Sequence, residues 1–61
     1  MDYSQAYEAI RLMEPDASGI DVFMGPRQCV VRFARKNGSR WRMLFESIGG
    51  GLRPVGLPIP E

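Results

Sequence analysis

The chain has no histidine and a single cysteine, Cys29. The first absence removes the commonest general base and metal ligand at neutral pH. The second excludes an intrachain disulfide and a cysteine-built zinc site. No apolar run approaches the roughly 18 residues of a membrane span, and no signal-peptide pattern opens the chain. These gaps predict no metal, no cofactor, no membrane partner and a cytoplasmic location. With 61 residues there is room for one domain, and none for a nucleotide-binding βαβ pair or a barrel.

A catalytic set is also missing, and no enzyme is expected. Cys29 falls on a core-facing position and has no histidine to activate it. Neither Glu8 with Glu14 nor Asp16 with Asp21 has a neighbour that would push two carboxyl pKa values apart. The run Gly49-Gly50-Gly51 lacks the lysine and following helix of a phosphate loop.

What is present is an ordinary globular composition, 44% hydrophobic and 25% charged. A core below about 70 residues seldom supplies more than about 3–5 kcal/mol, so a partner subunit is a common complement. Net charge is +1, but residues 1–22 carry five acids against Arg11, and residues 23–46 carry six bases against Glu46. The molecule is electrically lopsided.

Tyr3, Ala6, Tyr7, Ile10 and Met13 fall on one helical face, and Pro15 stops the helix. This predicts a helix over 3–14, capped by Asp2 or Ser4. Leu12 lies off the stripe and would widen it. Strands are predicted over 20–24, 28–35 and 39–46, separated by Gly25-Pro26-Arg27 and Lys36-Asn37-Gly38. Met13, Met24 and Met43 read as core fillers.

Burial selects the register of the second hairpin. A two-residue Asn37-Gly38 loop would set Phe33 beside Arg42 and bury arginines. A three-residue loop with Gly38 in the left-handed bulge position pairs Arg35 with Ser39, Phe33 with Trp41, Val31 with Met43 and Cys29 with Phe45. One face is then apolar. The other carries Val30, Arg32, Ala34, Arg40, Arg42 and Leu44.

On that second face Arg32 stands opposite Arg42, an arrangement that destabilises a ladder unless something neutralises it. Acids of the same chain would leave a merely solvated face. An acidic partner or nucleic-acid phosphates would make it a recognition surface. Arginine suits forked contact with carboxylate or phosphate. Base-stacking aromatics would have to share the arginine face, yet Phe33 and Trp41 point to the other side.

Residues 49–61, which open on Gly49-Gly50-Gly51 and carry Pro54, Pro58 and Pro60, read as a flexible or extended C-terminal arm beyond a domain of 1–48. It would dock on a partner, fold back over a sheet edge or the Val30–Leu44 strip, or fray.

The expected architecture is α+β: an N-terminal helix on a three-stranded antiparallel meander (α-β-β-β) with that arm. The expected function is a small non-catalytic binding protein, a regulator or inhibitor of bacterial or phage type, docking its arginine face on a larger macromolecule. The expected partner-binding residues are Arg32, Arg40 and Arg42, with Arg35 and Lys36 at the rim and Leu44 as apolar anchor. A protein partner is expected, with a homodimer as the assembly. The alternatives are a nucleic-acid-binding hairpin and a dimerising structural subunit.

Overall fold

The helical stripe produces α1, Tyr3–Met13, in the computed structural model, which describes residues 3–61 and side chains from residue 4 onward. The Asp2 cap and the Tyr3 side chain expected in the stripe lie outside the described residues. Glu14 N still donates to Ile10 O at 2.8 Å, and the chain then turns at Pro15 for the reason given by its ring. Ala6 and Ile10 are fully buried, Ala9 and Tyr7 partly. Leu12 does not widen the stripe: it is 81% exposed.

Four strands follow: β1 Ser18–Met24, β2 Gln28–Ala34, β3 Arg40–Ile48 and β4 Gly51–Pro60. They form one antiparallel sheet in chain order. The fold is α+β as expected, with four strands and not three. The β2–β3 register is the one that burial selects, with Phe33 opposite Trp41, Val31 opposite Met43 and Cys29 opposite Phe45. Arg35 N donates to Ser39 O at 2.8 Å, Gly38 N donates to Arg35 O at 2.9 Å, and Gly38 has φ +86°. A side chain at that position would crowd its own carbonyl, which is why glycine closes the loop.

The stretch expected as an arm is β4. Ile48 pairs with Gly51 across a two-residue Gly49-Gly50 loop, with φ +58° and +84°. Two successive positive φ values give the type I′ turn whose twist matches that of the strands it joins. Pro54, Pro58 and Pro60 are tolerated because β4 is an edge strand, where a missing N–H need not break a ladder. They also blunt that edge against further pairing. Midway, the residues opposite Arg42 and Leu44 are Ile59 and Val55, so Gly56, Leu57 and Pro58 bulge outward. Leu57 is 82% exposed at the crest.

The core lies between α1 and one sheet face. It comprises Ala6, Ile10, Ala17, Cys29, Val31, Phe33, Met43 and Phe45, with Ile20, Val22, Trp41 and Leu52 packed at its margin. Of the methionines expected there only Met43 is buried. Met13 and Met24 are 42% and 43% exposed, because one short helix is too narrow to cover both ends of the sheet.

Candidate interaction face of the sheet

The face turned away from α1 is ordered in rows, because residues opposite one another in a ladder project to the same side. One row is apolar across all four strands: Phe23, Val30, Leu44 and Val55. Phe23 and Val55 are 52% and 43% exposed. The next row runs Asp21, Arg32, Arg42 and Ile59. Beyond it lie Ala34 and Arg40, and on the other side of the apolar row Gln28, Glu46 and Arg53.

The structure brings together Arg32, Arg40, Arg42 and Leu44 among the residues expected to bind a partner. The facing arginines are relieved by an acid of the same chain. Arg32 Nε donates to Glu61 Oε2 at 2.8 Å and its Nη2 to Glu61 Oε1 at 3.1 Å. Arg40 Nε lies 3.7 Å from Glu61 Oε1. Glu61 is held in place by its own backbone N–H, which donates to Arg40 O at 3.0 Å. The hydrogen bond from Arg32 is the largest influence on the Glu61 carboxyl and lowers its pKa; burial opposes it, and the charges of Arg32, Arg40 and Arg42 add to the lowering, so the carboxyl sits below its ordinary range. The same pair raises Arg32. Arg42 is exposed and has no ion pair among the described residues. Glu46 is paired with Arg53.

Beside Arg42 the β4 bulge leaves a depression of about 250 Å³ lined by Val30, Arg42, Met43, Leu44 and Ile59. A guanidinium therefore borders an apolar hollow, the juxtaposition found at the energetic centre of protein interfaces.

Arg35 is placed differently from expectation. It shares the parity of Phe33 and lies on the helix side, with its Nε 2.9 Å from Glu14 Oε1 and its guanidinium 3.9 Å from the Trp41 ring centroid. It fastens the helix end to the hairpin and is not part of the arginine face. Lys36 is exposed at the hairpin tip. It lines a separate hollow of about 210 Å³ with Met13, Glu14, Pro15, Asp16, Ala17 and Arg35.

Phe23, beside Val30 and Leu44, is where an uncovered sheet face would expose it; Glu61, Val55 and Ile59 were not assigned to this face from the sequence. The readable signal was the Gly49-Gly50 pair, itself a two-residue hairpin signature, overshadowed by the third glycine and the prolines. Among the described residues there is no cluster of three or more metal-ligating side chains, and no helix is long and apolar enough to cross a membrane. No protein-family model matches the chain, and neither does any curated protein or solved structure.

Proposed function

We propose that this chain is a non-catalytic binding protein that docks the open face of its sheet on a larger protein and so regulates or inhibits it. One observation carries the reading: an apolar row spanning four strands, Phe23–Val30–Leu44–Val55, bordered by the guanidinium of Arg42, which has no ion pair among the described residues. A sheet face that only met water would have no reason to align its exposed apolar side chains in one continuous row.

Nucleic acid is the weaker occupant. Asp21, Glu46 and Glu61 interrupt the positive field on the same side, and among the described aromatics Trp41 and Phe33 lie on the other, leaving Phe23 alone beside the arginines and no row of rings for successive bases. A net charge of +1 adds little long-range attraction to a polyanion.

The test is affinity capture from host lysate with quantitative mass spectrometry, comparing the wild type with an Arg42→Ala/Leu44→Ser double variant. A protein recovered by the first and lost by the second supports the reading. Equal recovery by both defeats it. Light scattering at two concentrations distinguishes a second copy of the chain as the occupant.

A further inference from the structure

Glu61 sits where a ligand would. Its carboxylate is gripped side-on by the Arg32 fork and approached by Arg40, with Arg42 in the same field. The grip is bidentate, one nitrogen to each oxygen, the way a guanidinium recognises a carboxylate. The occupant is tethered by a single edge strand with a glycine-containing bulge at Gly56–Pro58. The Glu61 side chain can leave without breaking the core, since none of the buried residues belongs to β4.

From this we propose that Arg32, Arg40 and Arg42 form a carboxylate-binding site, that Glu61 is its built-in competitor, and that the partner presents an acidic residue next to an apolar one. This rests on the docking reading above and adds the chemistry of the partner. The acidic group takes the place of the Glu61 carboxylate and also engages Arg42, which Glu61 leaves without an ion pair. The neighbouring apolar side chain enters the hollow lined by Val30, Arg42, Met43, Leu44 and Ile59. Swinging Glu61 aside would leave Arg32, Arg40 and Arg42 on one face without that counter-charge. The C-terminal segment thereby sets how tightly the face binds. A phosphate would suit the charge, but not the apolar hollow beside it, and for that reason a protein segment is the occupant assigned here.

The experiment uses the full chain and a short fluorescein-labelled peptide alternating glutamate with leucine. Its controls are the same peptide with glutamine for glutamate, and a labelled oligothymidylate. Anisotropy should show the glutamate peptide binding about tenfold tighter than the glutamine peptide, as charge-assisted hydrogen bonds require. Glu61→Gln should tighten the glutamate peptide by about two- to fivefold, the weight of an exposed ion pair removed from competition. Arg42→Ala should weaken it. Circular dichroism and the melting transition of each variant establish that the fold is kept. In the wild type, the Arg32 Nε–H resonance should shift on titration with the glutamate peptide, which tests the site without any substitution.

Three results overturn the proposal: equal binding of the two peptides, unchanged or weaker binding by Glu61→Gln, or tighter binding of oligothymidylate with a steep salt slope. If capture of a cellular protein still depends on Arg42 and Leu44 while Glu61→Gln changes nothing, docking stands and the competitor role falls.

Discussion

The guanidinium of Arg35 lies 3.9 Å from the centroid of the Trp41 ring while its Nε donates to Glu14 Oε1 at 2.9 Å. One side chain thus joins the end of α1 to the β2–β3 hairpin. Trp41 is held from its other end as well: its Nε1 donates to Ser39 Oγ at 2.8 Å, and Ser39 Oγ donates to Asn37 Oδ1 at 2.6 Å. The hairpin tip and the helix end are therefore coupled through a single indole.

Arg35→Ala should cost about 1 kcal/mol, combining a partly exposed cation–π contact and an ion pair. For a domain of this size that is a drop of roughly 4–8 °C in Tm. Arg35→Lys should recover only part of it, because an ammonium cannot fork to a carboxylate and stack on a ring at once. Urea titrations followed by Trp41 fluorescence measure both. Equal stability of all three proteins would show that the helix end is not fastened there.

Phe33 is fully buried at the centre of the core. Truncating a buried phenylalanine costs about 3–5 kcal/mol, as much as a single core of this size supplies in total. Phe33→Ala is expected to be unfolded at room temperature, seen as collapse of amide dispersion in a two-dimensional NMR spectrum. A folded spectrum would mean that stability comes from elsewhere, self-association foremost.

Three adjacent glycines should behave unequally. Gly50 has φ +84°, whereas Gly51 lies in β4 with no positive φ, and a methyl group there would meet Ile48 O at 3.8 Å, an ordinary contact. Gly50→Ala should destabilise by about 1–2 kcal/mol, the cost of a left-handed Cβ, and should speed amide exchange along β4. Gly51→Ala should be close to neutral. Similar melting temperatures for the two would contradict the type I′ turn.

The Glu61–Arg32 pair makes the end of β4 sensitive to acid. Glu61 has a folded pKa below its unfolded value. Its contribution is complete above the ordinary glutamate value of about 4.3. It fades as pH falls through the lower folded value. Carbon-detected titration of the Glu61 carboxyl should give a midpoint below that ordinary value, returning toward it in Arg32→Ala and at high salt. A midpoint unaffected by Arg32→Ala would remove the pair from the account.

Much of this molecule is legible in its order of residues. The helix follows from apolar spacing and Pro15. The β2–β3 register follows from parity, since a one-residue slip would put Arg42 on the side of Phe33 or Arg32 on the side of Met43, and so carry one of the two arginines into the core. The division of that hairpin into an arginine side and an aromatic side was therefore decided locally, by a period of two.

The fourth strand has its Gly49-Gly50 turn as its local signal, and little else. Glycine and proline have weak strand preference, and residues 51–60 pair only because the exposed edge of β3 offers them a ladder. That pairing brings Val55 level with Leu44 and the Glu61 carboxylate to Arg32, across 29 positions of chain. Burial parity can say which side a residue faces. Only the folded sheet shows where residues 56–58 leave the ladder, and that bulge decides that Ile59 stands beside Arg42 and that Glu61 reaches Arg32.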